Sequence, residues 1–400
     1  MTSSSDTFSG NFQFEYQEEM LISTEGKTKI SIGVPKEDHN KEKRIPLTPN
    51  TVQFLIDNNI QVLIESQAGI ASGFSDMEYS DSGAEILDNK ESVYKADIII
   101  KIAPPSLSEI SFLRKNQVLI SSLNLKTLSK EYFLKLSERK ITAIALEHIK
   151  DNIGGFPFIE FMSDIIGKVT INIISNFSME KKGKLLGSIA GNKPVEVIII
   201  GAGSVALSTA QAAINQGANI KIFDNSITRL KSLQQNIKQN IYTSILHLPL
   251  LQKEFLNADV VIGALSNYEE HNNFIISNDV IKKMKKGSLL IDLSIDQGIC
   301  FESSKLTDFK KPFFEKFGIT HYGIPNISSM ASRTSSYVLG NIFTQLFSNF
   351  QNYGNINHFL KSDSNFRNGL YFYSGVLVNQ HIGERFDLPT KDINLILAAF

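Results

Sequence analysis

The sharpest chemical signal in the sequence is the run Val195-Glu-Val-Ile-Ile-Ile-Gly201-Ala-Gly203-Ser204-Val-Ala206. It predicts a buried strand, a glycine turn and a helix that opens at about Val205. Gly201 permits the tight turn, and Gly203 lets backbone approach a pyrophosphate with no Cβ in the way. Ala206 is small enough for helix and strand to lie close together. The helix N-terminus then offers unpaired N–H groups and positive dipole to phosphates. Asp224 closes the next strand, where a carboxylate accepts from both ribose hydroxyls and repels a 2′-phosphate, so NAD(H) is favoured over NADP(H). Arg229, on the following helix, either touches the adenosine side of such a cofactor or is a solvated helix residue.

Other side chains have chemistry but weaker context. Lys101 follows three isoleucines in a predicted buried strand, where a charge needs either a carboxylate partner or a ligand. Among the seven histidines, His271 falls in the loop after a predicted strand at Val260–Gly263, and His148 follows Glu147 at a strand end. Both also read as surface or packing residues. The single cysteine, Cys300, allows neither an internal disulfide nor a Cys-based zinc site, and no metal is predicted. Its sequence neighbours include no base to lower its pKa, so no reactivity is assigned to it. The basic cluster Lys282–Lys286 reads as a solvated helix end.

The elements that must position these residues alternate. Strands are predicted at Ile30–Val34, Gln61–Ser66, Ala96–Ile102, Val118–Ser121 and Ile141–Glu147, with helices at Asn50–Asn58 and Ser129–Arg139. After Gly154 a second alternation begins. It has a long helix at Ser163–Ser178, strands at Val195–Ile200, Asn219–Phe223, Val260–Gly263 and Ser288–Asp292, and helices at Val205–Gln216 and Ile227–Lys238. Strands alternating with helices call for α/β architecture with mainly parallel sheets, here two Rossmann-like doubly wound domains. From Arg333 the chain reads as helical to about Tyr353, and Tyr371 to Gln380 reads as helical too. This last stretch is expected to return to the first domain and make it discontinuous. The division predicted is an arm at 1–27, a substrate domain at 28–155 plus 335–400, and a dinucleotide domain at 156–334.

Composition removes several function classes. The 400 residues carry 40 Lys plus Arg against 41 Asp plus Glu, a formal charge of −1, which removes the electrostatic reason to expect nucleic acid as a partner. With 42% apolar and 20% charged residues the chain is globular in composition. Its apolar runs are strand-sized, so no membrane insertion is expected, and residues 1–27 resemble no signal peptide. A cytoplasmic protein is the resulting expectation.

The segment Ile32-Gly-Val-Pro-Lys-Glu-Asp-His-Asn-Lys-Glu-Lys-Arg44-Ile-Pro-Leu-Thr-Pro49 resembles the opening signature of alanine dehydrogenases and of the NAD-binding part of proton-translocating transhydrogenases. Glu65–Phe74, Ser80–Ala84, Met162–Gly167, Asp292–Gly298, Ile324-Pro-Asn326 and Arg333-Thr-Ser335 continue that resemblance in order. It implies two domains around a cleft, NAD as cofactor and a small amino or oxo acid as substrate. Arg44 matches the arginine that grips the substrate carboxylate, and Asp296 the catalytic aspartate at the edge of the cofactor sheet. Ser163 matches a cofactor-contacting serine; Gly201, Gly203, Ser204, Ala206 and Asp224 match the dinucleotide loop and its acidic partner. Leu265, Ser266 and Asn326 fall where the family lines the nicotinamide side.

Two departures stand beside these agreements. Alanine dehydrogenases carry two lysines in a Lys-x-Lys-Glu-Pro segment; here Lys101 matches the first and Ala103 replaces the second, as the transhydrogenase branch also lacks it. The family's acid–base histidine is replaced by Asn124, an amide that orients a carbonyl but exchanges no proton near neutral pH. The resemblance implies reversible oxidative deamination of L-alanine to pyruvate and ammonia, with water between Asp296 and Asn124 handling protons. Another amino or oxo acid substrate, or an NAD(H)-binding module without chemistry of its own, are the alternatives. It also implies a homo-oligomer, hexameric in the first branch and dimeric in the second.

Overall fold

Isoleucine and valine fill the central strands of two sheets, where both faces must be covered. Ile98, Ile99 and Ile100 are all fully buried, as are Ile199 and Ile200. The computed structural model describes residues 30–125, 127–265, 276–295, 300–348, 350 and 356–398. The predicted arm lies outside them.

The first sheet has eight strands, in the order Val376–Leu377, Leu370–Tyr373, Thr142–Ala145, Val118–Ser121, Ile98–Ile100, Ser31–Val34, Gln61–Glu65 and Glu85–Leu87. From Thr142–Ala145 to Glu85–Leu87 every pairing is parallel. The chain builds outward from Ser31–Val34 in one direction, then returns and builds outward in the other from Ile98–Ile100. The second sheet repeats this plan with seven strands, in the order Phe313–Lys316, Ile319–Tyr322, Leu289–Asp292, Val260–Gly263, Glu196–Ile200, Asn219–Asp224 and Tyr242–Ile245. Its one antiparallel pairing is the edge strand Phe313–Lys316 on Ile319–Tyr322. Each sheet reverses order once, and open α/β sheets bind ligands beyond the carboxyl ends of the strands at that reversal. Glu37 and Lys101 follow the two strands at the first reversal, and Gly201 and Leu265 follow the two at the second.

Two helices tie the halves together. Pro157–Lys182 packs Phe158 and Met162 on the core of the first sheet, and Ile171, Ile174 and Phe177 on that of the second. Its 26 residues span roughly 39 Å at 1.5 Å per residue. Helix Ser332–Phe347 returns after the second sheet and buries Leu339, Phe343 and Phe347 in the first core.

The segment Tyr371–Gln380 corrects the helical expectation. Leu370–Tyr373 and Val376–Leu377 form a hairpin that extends the first sheet antiparallel to Thr142–Ala145. Ser374 and Gly375 connect them, both with positive φ (47° and 82°), the geometry of a two-residue hairpin turn. Tyr371 and Phe372 are buried in this position, where a helix would have left no partner for the edge of Thr142–Ala145. Among the described residues no helix is long and apolar enough to cross a membrane, and no group of His, Cys, Asp and Glu side chains is placed to hold a metal ion.

Candidate active site

The glycine turn follows strand Glu196–Ile200 and is fixed by the Gly201 N–H, which donates to the Phe223 carbonyl at 2.7 Å. Gly201 has φ +117°, and a Cβ there would strike the Ala264 carbonyl. Its glycine is therefore required by the fold. Gly203 is different. Its φ of −82° suits any residue, and a Cβ on it would meet no atom within 4 Å. Nothing in the protein needs glycine at that point, but a ligand that approaches the backbone does. Helix Ser204–Asn215 starts there without a side-chain cap, so its first N–H groups are left for an acceptor from outside. Ala206 is fully buried against the strand. Asp224 is buried as well: Oδ2 accepts from Ala202 N at 2.8 Å and Oδ1 from Ser226 N at 2.7 Å, which ties the carboxylate to the loop. The Arg229 side chain is exposed, and its backbone N–H donates to Ser226 Oγ at 3.3 Å. This is a dinucleotide-binding fold.

Ser163 reaches the same loop from the long helix. Its hydroxyl donates to the Ile159 carbonyl at 2.6 Å and lies 2.9 Å from Ser204 Oγ. One residue earlier, Met162 Sδ accepts from Arg44 Nη1 at 3.4 Å. The same Nη1 donates to Ser328 Oγ at 3.0 Å, so Arg44 of the first half touches the second half close to the glycine loop.

The other edge of the guanidinium is held by Glu42. Nε donates to Oε1 at 2.8 Å and Nη2 to Oε2 at 2.6 Å, a bidentate fork, while Arg44 N also donates to Oε1 at 3.0 Å. Glu42 is 1% exposed and Arg44 8%, so this pair is fixed away from water. A row of serine hydroxyls clamps the segment: Lys43 N donates to Ser329 Oγ and Ile45 N to Ser336 Oγ. The spacing Glu42-x-Arg44 was visible in the sequence, but its pairing was not.

Lys101 resolves as an ion pair. Its Nζ lies 3.3 Å from Glu37 Oε2 and 3.0 Å from Glu109 Oε1, and the side chain is 3% exposed. Glu37 Oε1 accepts from Ile102 N and Ala103 N at 2.7 and 3.3 Å. Burial disfavours the ammonium, but the two carboxylates outweigh it and hold the Lys101 pKa above its ordinary value.

Asn124 lies half-buried beyond strand Val118–Ser121, and its carbonyl accepts from Thr127 N at 3.1 Å. Beside it stands Glu147, in the short 3-10 turn Leu146–His148, whose Oε1 accepts from Leu123 N at 2.6 Å. Burial pushes the Glu147 carboxyl up to about 7 against the pull of its own N–H and that of Leu123. His148 is held below the usual histidine value by burial and by His381.

Of the residues expected on the nicotinamide side, Leu265 and Asn326 fall among the described ones. Leu265, half-buried, packs at the end of strand Val260–Gly263. Asn326 takes a left-handed conformation (φ 53°) that opens the turn Ile327–Ala331 and brings Ser328 to Arg44. Asp296 and Ser266, like His271, lie outside the described residues. Asp292, at the end of its strand, accepts from Ser294 N and Cys300 N at 3.1 and 3.0 Å, so it braces both described ends of the loop that carries Asp296. Its carboxyl is pushed up by burial to about 6. Cys300 is buried and its thiol pushed up, as an unreactive cysteine would be.

Two family models match in tandem: the N-terminal domain of alanine dehydrogenase/PNT over residues 33–166 and the C-terminal domain over residues 172–380. The chain belongs to the alanine dehydrogenase/PNT family. An alanine dehydrogenase of Staphylococcus epidermidis is 31% identical over 374 residues, covering 91% of this chain and 99% of that protein. Among solved structures, an L-alanine dehydrogenase superposes with TM-score 0.80 at 29% identity, over 90% of this chain and 99% of that one. A transhydrogenase from Sinorhizobium meliloti, 19% identical, shares the fold with TM-score 0.71 over 87% of this chain and 99% of its own. Membership in the alanine dehydrogenase/PNT family accounts for two doubly wound sheets in one chain.

Proposed function

We propose that the protein is an NAD-dependent dehydrogenase that converts L-alanine, reversibly, to pyruvate and ammonia. The observation that carries this reading is Arg44: a buried guanidinium, held on one edge by Glu42, with its Nη1 beside Ser328 and Met162 near the dinucleotide loop. A guanidinium suits a carboxylate; Nε and Nη2 give their paired donors to Glu42, so the substrate carboxylate would be met from the Nη1 edge beside Ser328, within reach of a nicotinamide. Bound there, NAD supplies the two-electron hydride acceptor. Gly203 and Ser204 would take its pyrophosphate, Asp224 its adenosine ribose, and Ser163, Leu265, Ser266 and Asn326 its nicotinamide half. Arg44 would fix the substrate carboxylate, Asp296 would hold charge at the reacting carbon, and Asn124 would orient the carbonyl. Lys101, closed into its ion pair, supports the strand end that carries this wall. The chain divides in this reading into a substrate domain at 28–155 plus 335–400 and a cofactor domain at 156–334, in a cytoplasmic homo-oligomer.

The test is a panel of amino acids offered with NAD, followed by NADH absorbance. L-alanine should give the highest kcat/KM. A bulkier amino acid in first place would favour the second reading, another amino acid as substrate, for which Ala103 in place of a lysine leaves room. Cofactor choice gives a separate expectation. Asp224→Ser should weaken NADH by about tenfold and narrow its advantage over NADPH, read by fluorescence titration of both. An unchanged preference would remove Asp224 from the ribose site.

A further inference from the structure

Asn124 occupies the position of the family's acid–base imidazole, and it cannot exchange a proton near neutral pH. The Glu147 carboxylate, tied to the backbone one residue before Asn124, acts on two buried tyrosines, and three buried polar atoms of this group have no well-formed partner. These are Glu147 Oε2, the Tyr132 hydroxyl and the Tyr371 hydroxyl. Glu147 bears electrostatically on both phenols, and the two hydroxyls lie close to each other and to Ser121 without closing a good hydrogen bond. Tyr132 comes from helix Lys130–Glu138 and Tyr371 from strand Leu370–Tyr373, so three elements converge there. Glu109 also acts on Tyr132 from its own helix. Among the described residues no cation offsets the Glu147 charge: what acts on it is burial, its own N–H and the Leu123 N–H.

Among the described residues, the carboxylates of the buried acids are engaged on both oxygens. Glu37, Glu42, Asp224 and Asp292 each receive donors on both oxygens. Among the described residues, Glu147 Oε2 is the buried carboxylate oxygen left without one. An unsatisfied buried polar group of this kind calls for a functional explanation. Its place supplies one. Glu147 lies just past the carboxyl end of strand Thr142–Ala145, on the same edge of the sheet as the reversal and two strands from it, and grips the backbone one residue before Asn124.

We propose that Glu147 is the proton-exchanging group of this enzyme, in the place that a histidine fills in its relatives. The proposal rests on the alanine dehydrogenase reading above. Alanine, with its amine deprotonated, loses hydride with its electron pair from Cα to the nicotinamide dinucleotide, leaving the iminium. Water attacks that carbon, the C–O bond forms as the C=N π pair returns to nitrogen, and the released water proton passes to the Glu147 carboxylate. Glu147 then returns the proton to nitrogen, the C–N bond breaks, and ammonia leaves as the hydroxyl proton goes to solvent and the carbonyl closes. Asn124 orients the hydroxyl during this exchange.

The test compares kcat against pH, in both directions, for wild type, Glu147→Gln, Glu147→Asp, Asn124→His and the double variant Asn124→His/Glu147→Gln. NADH fluorescence titration of each reports intact folding of the cofactor half. In wild type, kcat for alanine oxidation should rise as pH passes about 7, because the carboxylate is the working form. Reductive amination begins from the same ionised Glu147, since the carboxylate regains its charge before ammonia leaves, so its kcat should fall off below the same pH. Glu147→Gln should lose about 100- to 10,000-fold in kcat with NADH affinity unchanged, and Glu147→Asp should lose less. Asn124→His should restore turnover in the Glu147→Gln background. A Glu147→Gln enzyme within threefold of wild type, or a double variant no faster than Glu147→Gln, overturns the proposal. If wild type itself turns over no alanine, the functional reading fails, and infrared spectroscopy decides on Glu147 separately. A protonated carboxyl band that titrates near neutral pH, vanishes in Glu147→Gln and shifts when pyruvate is added with NADH supports it. A band unmoved by pyruvate, or no such band, overturns it.

Discussion

Lys101→Met is expected to remove about 3–5 kcal/mol of folding stability, the usual cost of breaking a buried ion pair by deleting one partner. Glu37, 7% exposed and pushed by burial toward its neutral form even beside Lys101, would lose its cation next to the Ile102 and Ala103 N–H groups. Glu109 would keep Lys90, at 3.1 Å and partly exposed, and the donors of Ser106. Adding Glu37→Gln to Lys101→Met should recover part of the loss, since an amide still accepts from the two backbone N–H groups and carries no charge. The pH dependence has a definite sign. Burial opposes the Glu109 charge, but Lys101, the Ser106 N–H and Lys90 outweigh it and hold the carboxyl at about 2, below its ordinary value of 4.5. The group therefore contributes stability that is present at neutral pH and fades as pH falls from about 4.5 toward 2. Urea unfolding at neutral pH and at pH near 3 should show the gap between wild type and Lys101→Met narrowing in acid. A variant of wild-type stability with only a raised substrate KM would mean that Lys101 serves the substrate, and the ion pair contributes little.

The two glycines of the turn should separate under substitution. Gly201→Val puts a β-branched residue at φ +117° and drives its Cβ into the Ala264 carbonyl. Backbone strain of about 1–3 kcal/mol and a clash of similar size should act together, with NADH binding lost as the loop shifts. Gly203→Ala meets open space at an ordinary φ, so its thermal stability should stay within about 1 kcal/mol of wild type. Its NADH affinity should nonetheless fall by tenfold or more, because the methyl group occupies the room the pyrophosphate needs. Thermal unfolding and NADH fluorescence on the same samples give both answers. Normal binding by Gly203→Ala would place the phosphates elsewhere.

Much of the architecture could be read from periodicity, because buried parallel strands are continuous apolar runs and their helices are amphipathic. Val118–Ser121 and Val260–Gly263 lie where their β-branched residues predict. The edges were harder. Tyr242–Ile245 and Phe313–Lys316 are strands with half-exposed side chains, too polar to announce themselves. The hairpin at 370–377 did carry a signal, aromatic residues on one side of Ser374-Gly375 and aliphatic ones on the other. It was obscured by the helical stretch before it. In the site, the glycine loop and Asp224 were legible since local geometry alone demands them. The carboxylates were not. Glu42, Glu109 and Glu147 are ordinary acidic residues in sequence, and only tertiary contact makes one an arginine clamp, one a lysine partner and one a half-buried acid with a buried, unpaired oxygen.

The central claim is best tested in the reductive direction, with pyruvate, NADH and isotopically labelled ammonium. The account predicts steady NADH oxidation with one labelled L-alanine formed per NADH consumed, and the loss of both in Arg44→Ala. Tight NADH binding with neither oxidation nor labelled alanine would contradict it.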